Sequence, residues 1–214
     1  MLTEVEMTLQ RNLGKKTAME DEPTVSANEW LAAEDDASRA SRSPRLDFVI
    51  HAYGVPRHIL IPGGFVPSRA LEEAKWCFVN GQFLACILVC QVMLEGVLAG
   101  QYGLIGNDKA KEDGFKRLCD KGLAEGLISS LEHEAFTVLR QLRNSYTHPR
   151  NMDDPERIER RMMTEQRAVE EILEEDARHA LLAALRLTQR YPFGFEDDAE
   201  PSAGGDGVPA ASEP

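Results

Sequence analysis

The sequence predicts an all-α protein, a bundle of four or five helices. Two stretches, residues 131–146 and 162–185, repeat apolar residues every three or four positions, which is the period of an amphipathic helix. A third stretch, residues 82–99, is apolar on nearly all sides, as expected of a helix at the centre of a core. With 214 residues, 43% of them hydrophobic, the chain is long enough for one domain with a substantial core.

Composition divides the chain into three parts. Residues 1–45 carry few apolar residues and no sustained period, which predicts a flexible leader with at most a short helix near residues 28–40. The run Ser41-Arg42-Ser43-Pro44 marks a natural boundary. Residues 46–193 are predicted to form the helical domain. Residues 194–214 hold six acids and no base, which predicts a disordered acidic tail.

The net charge of −12 lies mostly at the two ends of the chain. Residues 46–193 hold 18 bases and 21 acids, so no global basic field indicates nucleic-acid binding. A basic site would have to be local. Six arginines do cluster in the sequence, at Arg140, Arg143, Arg150, Arg157, Arg160 and Arg161. Nearby acids offset them in part, so the cluster fits a mixed solvated face as well as a phosphate groove.

The first half of the domain contains the one strand-like region and two helices. Residues 46–66 are rich in β-branched residues between Pro and Gly, which predicts extended segments packed onto the bundle, with short strands as the alternative. Ser68 is placed to cap a helix over residues 69–79, which Asn80-Gly81 ends. The apolar helix at 82–99 follows, and residues 100–113 are predicted to be a linker.

The second half of the domain contains the remaining helices. A short helix is predicted over residues 114–124, with Gly126 after it. Ser129 or Ser130 then begins the amphipathic helix that reaches residue 147. The last run, about residues 155–190, is predicted to be one long helix or two.

The apolar helix at 82–99 raises the question of a membrane span. It is about 18 residues long, carries Glu95 well inside it and lacks charged flanks, so a core helix and no membrane are predicted. Three of the four cysteines lie in apolar helical sequence, and all four are predicted to be reduced. The sequence contains no Cys-x2-Cys pair, so a structural zinc site is not predicted. No signal peptide is evident, which predicts a cytoplasmic protein.

Chemistry-bearing side chains concentrate in Arg143-Asn144-Ser145-Tyr146-Thr147-His148-Pro149. Arg143 falls at the edge of the apolar stripe, whereas Asn144 and His148 are four apart and share a polar face. Pro149 disfavours helical geometry at His148, so the helix should end there, where the helix dipole favours a protonated imidazole. The motif thus places a permanent cation (Arg143), an amide (Asn144) and a titratable ring (His148) within one and a half turns. Such a set can bind a phosphate and transfer a proton beside it.

These residues resemble a known motif. Arg-Asn-x3-His at the end of a helix, inside an all-helical domain, resembles the HEPN motif, in which Arg is followed after four to six residues by His. Residues 74–95, a short helix, a Gly break and an apolar helix ending Met93-Leu94-Glu95, are similar to the DUF4145-like group of HEPN domains. The run from Gly114-Phe115 to Gly126-Leu127-Ile128 is similar as well. The resemblance covers roughly residues 68–150 and extends to a last helix near residue 190.

The resemblance implies a HEPN-like bundle that acts as a metal-independent endoribonuclease without a cofactor. In such enzymes the 2′-hydroxyl of the RNA attacks the scissile phosphate, which DNA cannot do. His148 would be the general acid or base, Arg143 would bind the phosphate and stabilise its developing charge, and Asn144 would orient the imidazole or the substrate. The supporting residues would be Glu95, Arg140, Tyr146 and Thr147.

Family association also implies partners. The protein is expected to be a homodimer whose two motifs face each other in a cleft. A role as a toxin or antiviral-defence effector, with RNA as target and an antitoxin or another protein as partner, follows from the same association.

Helix geometry constrains this site. Arg143 and His148 lie about 140° apart around an ideal helix, so one helix brings both to one atom only if its end unwinds. Glu95, a lone carboxylate on a core helix, is predicted to contact Arg143 and orient it, the alternative being that it reaches solvent. The competing function is a non-catalytic helical interaction module, in which Arg143 would be buried against Glu95 and His148 would be unaligned.

Overall fold

The computed structural model describes residues 26–53, 58–59, 61–107, 112–190 and 194–195. Within these ranges the chain forms seven helices and one pair of two-residue strands, which confirms the predicted all-α class although the helices outnumber the prediction. The helices are α1 Ala27–Tyr53, α2 Phe65–Val79, α3 Phe83–Leu104, α4 Phe115–Ala124, α5 Ser130–Thr147, α6 Ile158–Glu165 and α7 Val169–Thr188. Strand β1, His58–Ile59, pairs antiparallel with β2, Gly194–Phe195. Most of the predicted leader and tail lies outside the described residues.

The chain divides into two compact units, residues 1–40 and 41–214. In the described part of the first unit, Ser26 caps the start of α1: its amide donates to Glu29 Oε2 (2.9 Å), and the amide of Glu29 donates to Ser26 Oγ (3.2 Å). No side chain is buried among residues 26–40, and Trp30 and Leu31 are exposed. The second unit holds the hydrophobic core and all of the predicted site residues.

Residues 46–53 are helical, so the prediction of extended segments there is wrong, and Pro44 lies inside α1 rather than at its boundary. A proline inside a helix removes one backbone hydrogen bond. Tertiary contacts of the following turns offset that loss. The ring of Phe48 packs 5.3 Å from that of Phe78, Val49 is buried, and Arg45 Nε lies 3.0 Å from Glu174 Oε2. Of the residues in this region that the structure describes, 58–59 alone match the strand alternative.

Helix α3 forms the centre of the core and packs mainly against α2 and α7. By length and composition it could cross a membrane, but its buried face, which includes Cys86, Cys90, Met93 and Leu94, packs as a core helix does. It runs to Leu104, five residues beyond the predicted end, because Gly100 marks a close contact rather than a stop. A Cβ on Gly100 would lie 2.1 Å from the amide nitrogen of Gly63. The glycine lets a turn pack directly on the helix.

Two other helix boundaries differ from prediction. Helix α2 begins at Phe65, and the hydroxyl of Ser68 donates to the carbonyl of Gly64 (3.1 Å) instead of capping the helix. The run after residue 155 forms two helices, α6 and α7, separated at Gln166, whose φ of 54° is left-handed.

Candidate active site at the end of helix α5

Local signals fix both ends of α5. Ser129 and Glu132 form a capping box: the amide of Ser129 donates to Glu132 Oε2 (2.7 Å), and the amide of Glu132 donates to Ser129 Oγ (3.3 Å). At the other end His148 is extended, with φ −117° and ψ 138°, and Pro149 follows. The predicted end of the motif helix is therefore confirmed. The side chains of α5 that enter the core are Phe136 and Leu139.

The unwound end brings the three predicted catalytic residues together within one chain. Arg143 Nη1 donates to Asn144 Oδ1 (3.1 Å) and lies 3.4 Å from His148 Nε2. Because a guanidinium only donates hydrogen bonds, this contact is a hydrogen bond in the tautomer whose Nε2 carries no proton. Arg143 and Asn144 are half-buried and His148 is exposed. A ligand approaching from solvent can reach the imidazole and the guanidinium together.

The arginines near the motif separate into two groups. Arg150, Arg157 and Arg161 each form an ion pair with at least one carboxylate. In the part of the chain that the structure describes, Arg140, Arg143 and Arg160 form none. The predicted offset of positive charge by neighbouring acids therefore applies around Arg150 and Arg157 but not at the motif itself. An anion placed beside His148 would meet positive charge that no carboxylate of the described ranges pairs with.

The predicted contact between Glu95 and Arg143 is not formed. Glu95 instead lies near Cys119 of α4. Burial raises the pKa of that thiol to about 12. Asp120 raises this pKa further, Arg140 lowers it, and Glu95 makes the smallest contribution, an increase. Glu95 is half-buried and has no ion pair among the described residues, which fits the alternative that it reaches solvent. The side chain of Arg143 is thus oriented by Asn144 and His148.

Arg140 lines a small cleft between α4 and α5, with a volume of about 170 Å³. The cleft also contains Lys116, Asp120 and His133. His133 Nε2 lies 2.9 Å from Asp120 Oδ1, and Lys116 Nζ lies 2.6 Å from Asp120 Oδ2, so the carboxylate there is shared by two basic groups. These hydrogen bonds lower the pKa of Asp120, with the contribution of Lys116 the larger. Arg140, one turn before Arg143, extends the positive face of α5 toward this cleft.

Tyr146 anchors the end of α5 to the core. Its hydroxyl donates to Asp176 Oδ2, and the same carboxylate accepts Arg161 Nη1 (2.5 Å) and Nη2 (3.1 Å). Asp176 is only 4% exposed. Burial, together with the hydrogen bond to Asp176, raises the pKa of Tyr146 above its usual range. The phenol is therefore a structural donor that ties α5 to α6 and α7.

Ser145 and Thr147 make local contacts around the motif. The hydroxyl of Thr147 donates to the carbonyl of Arg143 (2.9 Å). The hydroxyl of Ser145 donates to the carbonyl of Gln141 (2.9 Å) and lies 3.2 Å from Glu156 Oε2, which also pairs with Arg150 Nη2 (2.7 Å). These bonds hold the turn after Pro149 against the last turn of α5. Thr147 supports the helix end.

Asp176 belongs to the surroundings of the site, and the sequence did not single it out. Asp176 follows Glu174 and Glu175 and looks like part of a solvated acidic face. Its burial depends on packing between helices 30 residues apart in the chain. Across the described ranges, no three His, Cys, Asp or Glu side chains are grouped as metal ligands would be.

Comparisons of the chain with protein-family models, with curated proteins and with solved structures give no match. The case for a function therefore rests on the geometry of the site.

Proposed function

We propose that this protein is a metal-independent endoribonuclease whose active site is formed by Arg143, Asn144 and His148. The observation that carries the proposal is the 3.4 Å separation of Arg143 Nη1 and His148 Nε2, beside an arginine that has no carboxylate partner in the described part of the chain. A phosphate held by this guanidinium lies next to an imidazole nitrogen that can accept a proton.

The chemistry follows from the two groups. His148 Nε2 accepts the proton of the 2′-hydroxyl, and that oxygen attacks the adjacent phosphorus. The bond from phosphorus to the 5′-oxygen breaks, leaving a 2′,3′-cyclic phosphate, and the leaving oxygen takes a proton from solvent, to which the site is open. Arg143 stabilises the charge that develops on the phosphate oxygens. Asn144 holds the guanidinium through its Oδ1, 3.1 Å from Nη1.

Two observations favour this proposal over a non-catalytic interaction module. That alternative predicted Arg143 buried against Glu95, and the two do not form an ion pair. It also predicted an unaligned His148, whereas the ring lies against Arg143. A cytoplasmic location, a toxin or antiviral role and an antitoxin partner remain predictions from the resemblance.

The test is cleavage of single-stranded RNA by the purified full chain in EDTA. We expect Arg143→Ala and His148→Ala each to lower the cleavage rate at least a hundredfold, as removal of a charge-stabilising donor or of a general base does. Products should carry cyclic-phosphate ends, and a strand with a single 2′-deoxy sugar at the scissile position should stay intact.

Arg157→Ala is the matched control, because Arg157 is a nearby arginine that is already paired with Glu159 (2.7 Å). It should leave the rate within about threefold of the parent. Equal cleavage by the parent and both site variants would assign the activity to a contaminant or to another site. Absence of cleavage by the folded parent on all RNA substrates would leave the interaction module as the better proposal.

A further inference from the structure

Helices α5 and α7 lie antiparallel and leave an apolar groove between them, with a volume of about 390 Å³. Two contacts show their antiparallel direction. Glu132 and Arg190 form an ion pair (2.7 Å) at one end, and Tyr146 donates a hydrogen bond to Asp176 at the other. We call this surface the α5–α7 groove. Its apolar lining includes Leu131, Val138 and Leu142 of α5, and Leu182 and Ala183 of α7.

The α5–α7 groove is not covered by the chain itself within the described residues. Leu131 and Val138 are 65% and 42% exposed, although both belong to the apolar stripe that predicted the core contact of α5. The helix packs on the core through the buried Phe136 and Leu139, and Ala135, Leu142 and Tyr146 are partly buried against it. Part of the apolar stripe of α5 is therefore solvent-exposed and can be buried by another protein surface.

The groove and the candidate active site occupy different faces of α5. At 100° per residue, Arg140, Asn144 and Arg143 lie about 180°, 140° and 120° around the helix from the line of Leu131, Val138 and Leu142. A partner seated in the groove would leave Arg143 and His148 open to solvent.

The charged side chains of the groove are complementary to each other. Glu134 lines the α5 wall and Arg186 the α7 wall, at about the same level because both lie near the Glu132–Arg190 end. Neither forms an ion pair in the described part of the chain, whereas the adjacent Glu132 and Arg190 do. The groove is thus mostly apolar, with the acid Glu134 on the α5 wall and two basic side chains, Arg186 and His179, on the α7 wall.

We propose that a second copy of this chain occupies the α5–α7 groove, related by a two-fold axis that runs along the groove. Such an axis places the α5 wall of one copy against the α7 wall of its partner. Each residue keeps its position along the groove axis, so residues at the same height in the two copies face each other. Glu134 of each copy then meets Arg186 of the other, which gives two identical ion pairs around an apolar centre. A two-fold axis across the groove would bring Glu134 opposite Leu142 and leave both charges unpaired.

This arrangement differs from the dimer that the family resemblance implies. There the two motifs face each other, whereas here they point outward on opposite sides of the dimer. Because Arg143 and His148 already meet within one chain, the site does not need a second copy to be complete. The inference stands on the groove and its charges and does not depend on the ribonuclease proposal.

The test is the mass of the full chain in solution, measured by sedimentation equilibrium from 5 to 200 μM at low salt. The parent should be a dimer. Glu134→Arg and Arg186→Glu each place like charges opposite each other twice, so each should raise the dissociation constant at least tenfold. The double variant Glu134→Arg/Arg186→Glu restores opposite charges and should return the dissociation constant to within about threefold of the parent.

Glu170→Arg is the matched charge reversal, since Glu170 is an exposed acid of α7 that does not line the groove, and it should leave the dimer unchanged. Far-ultraviolet circular dichroism of each variant confirms that it is folded. A parent that is monomeric at 200 μM overturns the proposal. So does a dimer that resists both single reversals, or one that the double variant fails to restore.

Discussion

Asp176→Asn is the substitution that best tests how the core holds the candidate site. The carboxylate is 4% exposed and accepts hydrogen bonds from Tyr146 and from both terminal nitrogens of Arg161. Asparagine keeps the shape of the Asp176 side chain and removes its negative charge. It also replaces one carboxylate oxygen, a hydrogen-bond acceptor, by an NH2 donor that faces the donors of Tyr146 or Arg161. The end of α5 would lose its anchor to α6 and α7.

The structure gives the size of the effect. A hydrogen bond to a charged group contributes roughly 1.5–3 kcal/mol, and breaking one side of a buried ion pair costs roughly 3–5 kcal/mol. Arg161 keeps some solvent contact and a second partner, Glu165, 3.1 Å away, which lowers the cost. We therefore expect the free energy of unfolding to fall by about 2–4 kcal/mol. In a domain of this size that lowers the Tm by roughly 5–12 °C.

The assay is urea denaturation followed by circular dichroism at pH 7. Glu175→Gln is the matched control, because it removes the same charge from the neighbouring residue, which is 46% exposed and paired with Arg167. An exposed pair contributes less than about 1 kcal/mol, so this variant should stay close to the parent. If Asp176→Asn costs no more than Glu175→Gln, the proposed anchor does not stabilise the fold.

Three further predictions concern other parts of the domain. Ser129→Ala removes the capping box of α5 and should lower the free energy of unfolding by about 1 kcal/mol in the same urea assay, and no change would contradict the capping role. Burial raises the pKa of Cys119 to about 12, and the thiolate is the form that reacts with iodoacetamide. At pH 8 Cys119 should therefore react at least a hundredfold more slowly than a cysteine in an unstructured peptide. Mass spectrometry that shows fast labelling of the Cys119-containing fragment would contradict this. Hydrogen bonds from Lys121 and Arg117 lower the pKa of Asp113, so its contribution to stability is present above about pH 4 and is lost as the pH falls through the lower folded value. Asp113→Asn should therefore lose less stability between pH 5 and 3 than the parent, and parallel pH profiles would refute the linkage.

Local signals predicted the motif helix well. The end of α5 at Thr147 follows from Pro149, and its start follows from serines before a run of helical period. The polar face shared by Asn144 and His148 follows from their spacing alone. These predictions succeed because each depends on residues within about four positions of one another, whose geometry a single helix fixes.

Longer-range features could not be predicted in the same way. Pro44 and the residues after it suggested a boundary and extended chain, yet packing of Phe48 and Val49 on the core keeps them in α1. The sequence predicts a contact of Glu95 with Arg143 because a lone carboxylate on a core helix needs a partner, but the rotation of α3 places Glu95 near Cys119. A helical period shows which residues share a face and does not show which face another helix will meet.

The sequence by itself determined the all-α class, the position of the motif at a helix end and the identity of the three residues that meet there. Tertiary structure alone decided that Tyr146 is held by Asp176 across 30 residues and that Leu131 and Val138 face a groove rather than the core. It also decided that, among the described residues, Arg140 and Arg143 keep no carboxylate partner while Arg150 and Arg157 do. The physical reason is that the backbone near Pro149 is restricted by its own sterics, whereas burial and ion pairing depend on how the helices rotate and cross when the whole core packs.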